Sequence, residues 1–329
     1  MEPIHDTVAD PSARRAAWSA YWATGGLHSC VGSFDGNYSG AIGDFWRGVF
    51  KDLPEGPLRA LDLATGNGAL PRLLWEHRGD RPGLEVDAVD LAQLAPGWLD
   101  PVQHAGLRFH AGVAMEQLPF ADASFDLVAS QYGFEYANRD AALAEALRVL
   151  KPGGRLALVM HHAGSVLVRV GRSELQNQSL LMAPDGLLAA TAAVLPWIAR
   201  ARAGQDPSGE PEALRARTAY NAAVQALASC IAGSEAPDLL LETRDWVNRL
   251  LAGTGADPAP ALAALASYRE GLVAAGLRTG ELIEHALDET QLAALVSSVQ
   301  AARPSGRVRV EPVAQAEGLL GWGLRLDPA

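Results

Sequence analysis

From Leu58 to Met160 short apolar runs alternate with amphipathic stretches, a pattern that predicts parallel strands joined by crossover helices. Arg59–Ala64, Leu84–Asp90, Leu107–Ala111, Phe125–Ser130 and Arg155–Met160 read as five strands. Gly66 and Gly68 open a helix that runs through His77. A second helix from Asp140 to Leu150 has an acid at its start and Lys151-Pro152-Gly153-Gly154 as its stop. Past Ala163 the chain becomes Ala/Leu-rich and helical in pattern, with breaks at 183–186, 204–211, 233–237 and 253–260 that divide it into four or five helices. A helix from Asp288 to Ala302 then precedes Arg307–Val313 and Leu319–Leu326, two strand-like runs close enough to form an antiparallel hairpin at the sheet edge.

The segment Ala13–Phe50 combines aromatic residues with glycine, and predicts a short helix, a loop at Gly32–Asn37 and a second helix. With 329 residues the chain exceeds one ordinary domain, so the expected organisation is an N-terminal cap at 1–57, a core at 58–165 and 281–329, and a helical insertion at 166–280. Charge narrows the partners: 38 acidic against 27 basic side chains give −11, which repels phosphate backbones and argues against a nucleic-acid substrate. Cys30 and Cys230 cannot form a disulfide framework, and neither they nor His5, His77, His104 and His110 show metal-ligand spacing, so no metal is expected. Met1–Pro11 carries three acids and no apolar run, and Arg, Asp, Glu, Gly or Pro interrupts every long apolar stretch. The expectation is a cytoplasmic protein without a membrane segment, and a homodimer is left open.

Chemistry concentrates where strands end. In Leu61-Asp62-Leu63-Ala64-Thr65-Gly66-Asn67-Gly68 the glycines allow close backbone approach, and the following helix offers free N–H groups. A dinucleotide fingerprint wants a third glycine where Pro71 stands, which weakens a nicotinamide-cofactor reading. Asp90 closes the second strand, at the spacing where a carboxylate accepts from ribose hydroxyls. Together with Glu116–Val128 and Glu145–Leu156, these motifs resemble, in order and spacing, the class I S-adenosylmethionine-dependent methyltransferases. The resemblance covers about residues 58 to 160. It implies a doubly wound, mostly parallel seven-stranded α/β sheet of the Rossmann-like methyltransferase type, here with an N-terminal cap and a large helical insertion.

Carried over position by position, the resemblance sets the turn Ala64, Gly66, Asn67 and Gly68 against the methionine moiety of the cofactor. Asp62 would reach its amino group, Asp90 would hold the ribose diol, and Leu91 would pack on adenine. The carboxylate that many relatives place before Leu-Pro-Phe is replaced by Ala114, so backbone near Ala114 and Met115, or Glu116, would substitute; the family's first glycine is replaced by Ala64. Gln131 would face the cofactor and Tyr38, in the N-terminal segment, would close over it. Tyr132, His161 and His162 are the candidate catalytic residues: Tyr132 as an acceptor wall, and an imidazole near neutral pKa as a proton acceptor. Alternation along the strand lets at most one of the two histidines face the site. The implied reaction is methyl transfer from S-adenosylmethionine to an O, N or C nucleophile of a small molecule, with the helical insertion covering the acceptor. A non-catalytic S-adenosylmethionine-binding protein that uses the insertion for partner binding, and an NAD-dependent oxidoreductase, are the alternatives.

Overall fold

The structure is a computed structural model that describes residues 11–30, 36–79 and 82–328. His5 and most of the loop read at Gly32–Asn37 lie outside them. Two compact units are present: residues 1–168 with 281–329, and residues 169–280.

The first unit is built on a seven-stranded sheet of order β3-β2-β1-β4-β5-β7-β6. Its parallel strands are β1 (Leu58–Leu63), β2 (Leu84–Asp90), β3 (Leu107–Ala111), β4 (Phe125–Gln131) and β5 (Leu150–His161). The expected C-terminal hairpin, β6 (Arg307–Gln315) and β7 (Gly318–Asp327), adds antiparallel against β5 and closes that edge. Strand order reverses between β1 and β4, and at such a switch point the loops on either side diverge and leave a crevice beyond the strand ends.

Both faces of the sheet are buried, which explains why the strands read as near-continuous apolar runs. On one side α4 (Arg139–Val149) and α10 (Glu289–Ala302) cover Leu61, Leu63, Val128, Leu156 and Leu158. On the other, α2 (Gly40–Lys51) and α3 (Ala69–Arg78) cover Ala60, Val86, Leu127 and Val159, with Trp46 and Phe50 of α2 fully enclosed. The Asn138 side chain caps α4 by accepting from Ala141 N, and Asp288 and Gln291 form a reciprocal capping box on α10.

One boundary differs from the sequence expectation. Lys151-Pro152-Gly153-Gly154 does not separate helix from strand, because β5 already begins at Leu150. Phe125 pairs with Leu150 and Leu127 with Arg155, so the Pro-Gly-Gly segment is accommodated as a bulge inside the pairing.

In the second unit, α6 (Leu187–Arg202), α7 (Pro211–Gly233), α8 (Asp238–Gly253) and most of α9 (Ala259–His285) form a separate apolar core around Leu188, Leu195, Leu240 and Leu265. Trp246 and Tyr268 stack with ring centroids 4.0 Å apart. The helix that enters it, α5 (Val166–Met182), is separated from α6 by the break at 183–186. By length and composition Val166–Arg202 is apolar enough to cross a membrane, although Arg169, Glu174, the break at 183–186 and Pro196 interrupt it as expected. It is nevertheless two helices of 17 and 16 residues, each shorter than the roughly 20 residues of a span.

Entry to and return from the helical unit are fastened to each other within the first unit. Leu287 N donates to His161 O (2.8 Å) and Ala163 N to Leu287 O (2.9 Å), giving a parallel bridge between His162 and Leu287.

Candidate active site

A cavity of about 140 Å³ lies at the carboxyl ends of β1, β2 and β4, the switch point of the sheet. β1 contributes Asp62 with the following Ala64, β2 contributes Asp90 with Leu91, and β4 contributes Gln131 with Tyr132. Ala114, Met115 and Glu116 extend the floor beyond β3. The N-terminal segment supplies the remaining wall, from α1 (Pro11–Trp22) through Arg14, Trp18 and Trp22, and from His28 and Tyr38.

Two carboxyl groups dominate the electrostatics. Asp62 is 4% exposed, and burial pushes its carboxyl up to about 8; the adjacent Thr65 hydroxyl opposes the shift and the nearby Asp90 charge adds to it. Burial raises Asp90 as well, against backbone N–H donors that favour its charge. Asp90 Oδ2 accepts from Gly66 N and Oδ1 from Ala92 N, both at 2.8 Å, so the carboxylate ties the β1 turn to the end of β2. The phenols of Tyr38, Tyr132 and Tyr136 sit well above the usual range, mainly through burial, and stay protonated.

Gln131 is held by a buried hydrogen bond in which Trp46 Nε1 donates to Gln131 Oε1 (2.6 Å). Glu116 lines the cavity and accepts from Asn138 N (3.0 Å), while Leu91, a large apolar side chain at 40% exposure, stands at the rim. Ala64 and Tyr132 hold φ of +54° and +52°. Left-handed backbone at non-glycine residues on two adjacent strand ends is the strain that accompanies sites where side chains are aimed for function.

Asp62, Ala64, Asp90, Leu91, Ala114, Met115, Glu116, Gln131, Tyr38 and Tyr132 therefore share one cavity, as their sequence positions suggested. Gly66, Asn67 and Gly68 do not line it. A Cβ on Gly66 would lie 2.5 Å from the Trp22 ring, and one on Gly68 would lie 2.5 Å from Phe109. Side chains occupy the space that the bare turn would otherwise offer to a ligand. The Asn67 side chain is spent on backbone: Nδ2 donates to Trp22 O and Gly26 O, and Oδ1 accepts from Ala95 N.

The two histidines are likewise absent from the lining. His161 packs behind Tyr132, with ring centroids 4.0 Å apart, and its Nδ1 and backbone N both lie within hydrogen-bond distance of Glu135 Oε1 (2.7 and 2.8 Å). It fixes the position of a cavity wall. His162 stacks on Trp322, and its Nδ1 accepts from Gly164 N. Desolvation holds His162 below the ordinary imidazole value despite Glu289 nearby.

Two contributors carried no sequence signal for their placement: Arg14 and Trp22. Arg14 lines the cavity while bonding to Glu281, to His285 Nε2 (2.9 Å) and to Tyr136 O (3.2 Å), which anchors α1 across the strand ends. Only the folded path of the N-terminal segment brings it there.

Residues 61–158 match the family model described as a methyltransferase domain. The demethylmenaquinone methyltransferase of Thermus thermophilus is 39% identical over 120 residues, which cover 34% of this chain and 51% of that protein. The malonyl-[acyl-carrier protein] O-methyltransferase of Methylococcus capsulatus is 36% identical over 119 residues, covering 35% and 42%. The chain spans about half the length of the curated relatives it matches. Among solved structures, the methyltransferase in complex with the Haloferax volcanii Trm112 activator is 26% identical, with 45% of this chain and 60% of that one covered at a TM-score of 0.35. The matched motifs, the strand order and the sequence relatives together make residues 61–158 a domain of the class I S-adenosylmethionine-dependent methyltransferase family.

Proposed function

We propose that the protein transfers a methyl group from S-adenosylmethionine to an O, N or C nucleophile of a small molecule and releases S-adenosylhomocysteine. The observation that carries this reading is the pair of buried carboxyl groups, Asp62 and Asp90, on neighbouring strand ends of one cavity. A carboxyl pushed up to about 8 by burial fits a site that receives a cation, here the cofactor's ammonium. Asp90 is the acceptor for the ribose hydroxyls, and Leu91 with the Ala114–Glu116 segment flanks the adenine. When bound, the cofactor supplies a methyl group on a positively charged sulfur.

The chain's own residues contribute position and desolvation. Tyr132, Tyr136 and Tyr38 form an aromatic wall whose phenols remain protonated, so they can donate hydrogen bonds but not accept the acceptor's proton. His161 and His162 lie outside the lining, and His28, in the wall and held below the ordinary imidazole value mainly by burial, is the neutral imidazole left to take a proton from the acceptor where one must be removed. The names of the relatives include both a quinone methyltransferase and an O-methyltransferase, which supports the small-molecule reading and leaves the acceptor atom open. The helical unit, inserted between β5 and β6, is assigned the choice of acceptor.

The test is calorimetric binding of S-adenosylhomocysteine and of NADH, followed by homocysteine release with a panel of phenolic, amine and enolic acceptors. Binding of S-adenosylhomocysteine with no binding of NADH is expected. Binding without turnover on any acceptor class would favour a non-catalytic binding protein, and NADH binding alone would overturn the reading.

A further inference from the structure

Among the described residues, three buried side-chain donors of cavity-lining residues have no partner, Thr65 Oγ1, Trp22 Nε1 and Gln131 Nε2, and the last two can only donate. Both residues line the cavity and both are more than nine-tenths buried, at 6% and 7% exposure. A buried donor left unpaired is destabilising, so a pair of them at one site points to a ligand that accepts.

The polarity of the Gln131 amide is fixed by its neighbour. An indole N–H can only donate, so the 2.6 Å contact from Trp46 Nε1 identifies the contacted atom as the carbonyl oxygen and leaves the NH₂ as the free end. The Trp22 indole is equally a donor without acceptor capacity.

Their place in the sheet says which end of a ligand they meet. β1 and β4 are neighbours with Leu63 opposite Ser130, so Gln131 stands beside the turn that follows β1. The Trp22 ring covers that same turn at Gly66. Gln131 thus stands on the β1–β4 side, with Asp62, and Trp22 lies over the turn that directly follows Asp62 and whose Gly66 N donates to Asp90.

We infer that Trp22 Nε1 and Gln131 Nε2 are a donor pair for the carboxylate at the methionine end of the cofactor, and that Trp46 is a positioning residue that keeps the Gln131 amide facing it. The inference rests on the proposed S-adenosylmethionine reading and deepens it: Asp62 takes the ammonium and the two donors take the carboxylate of the same amino-acid group. It also makes α1 a part of the binding site, because Trp22 is its last residue.

The experiment compares S-adenosylhomocysteine with 5′-methylthioadenosine, which keeps the nucleoside and lacks the amino-acid end. Dissociation constants are measured by calorimetry for the intact protein and for Gln131→Met, Gln131→Glu, Trp22→Phe and Trp46→Phe. Gln131→Met and Trp22→Phe are expected to weaken S-adenosylhomocysteine about tenfold to a hundredfold, the loss of a hydrogen bond to a charged group. Methylthioadenosine should stay within about twofold, which also shows that each variant is folded. Gln131→Glu should lose more than Gln131→Met, because it sets a negative charge against the carboxylate. Trp46→Phe frees the amide to turn over, so it should weaken S-adenosylhomocysteine selectively and less than Gln131→Met does.

Equal losses for the two nucleosides, or unchanged S-adenosylhomocysteine affinity in Gln131→Met and Trp22→Phe, would overturn the donor pair. So would a rise in acceptor KM alone, which would place the donors on the acceptor. If the intact protein binds neither nucleoside, the cofactor reading itself fails.

Discussion

Asp62 gives the site a pH dependence whose sign follows from its buried carboxyl. In the unfolded chain it ionises near 3.8, whereas the folded group holds its proton to about 8. Between these values the unfolded state releases a proton that the folded state keeps, so this group lowers folding stability as pH rises from about 4 to 8, with no further change above. Asp62→Asn should therefore stabilise the ligand-free protein at pH 7 by about 1–3 kcal/mol, read as a higher melting temperature, with a gain that shrinks toward pH 4. The same variant should lose S-adenosylhomocysteine affinity, and wild-type affinity should weaken as pH falls below about 8. A ligand-free melt that is lower in the variant at pH 7 would remove the assignment. For Asp90→Ala the expected loss is about 1.5–3 kcal/mol of binding, shared equally by S-adenosylhomocysteine and methylthioadenosine because the ribose is common to both. Calorimetry on the two ligands decides it. The placement of these carboxyl groups at strand ends beside one cavity was legible in the sequence because the apolar pattern marks where β1 and β2 end. Trp22 was not legible, since nothing in local sequence tells which ring will fold back over Gly66, and an aromatic-rich cap reads equally well as core.

At the scale of elements, the β1 turn illustrates how far a motif can be trusted. Its glycines were expected to bare the backbone for a ligand, and the conformation agrees, with φ of +54° at Gly66 and +81° at Gly68. The space beside them, however, is taken by Trp22 and Phe109. Gly66→Val must displace Trp22, so its effect should reach α1 as well as the cavity: a lower melting temperature together with lost binding. A variant that binds S-adenosylhomocysteine normally with an unchanged melt would show that α1 does not seat on this turn. Strand and helix types were readable because apolar period and caps are local properties. The start of β5 was not: Lys151-Pro152-Gly153-Gly154 carries stop chemistry, yet pairing of Leu150 with Phe125 overrides it and leaves the four residues as a bulge. His161 and His162 show the same limit, since a strand-end position does not reveal that Glu135 and Trp322 will claim their rings.

For the whole molecule, the hydrophobic pattern marked a helical segment but said nothing about how it is moored. Replacing residues 169–280 by a short Gly/Ser linker should leave a folded first unit that binds S-adenosylhomocysteine within a few-fold of the full chain while acceptor turnover is lost; failure to bind would show that the cofactor site depends on the helical unit. The expectation follows from the His162–Leu287 bridge, which holds the chain's exit and return side by side. That bridge also has a consequence in polymer terms. Closing a loop costs entropy that grows only with the logarithm of its length, so doubling the segment beyond the bridge would add about 0.6 kcal/mol. A core fastened in this way can tolerate large changes in the size of what it carries, and lengthening or exchanging that segment leaves the sheet and its strand-end chemistry almost indifferent to the change.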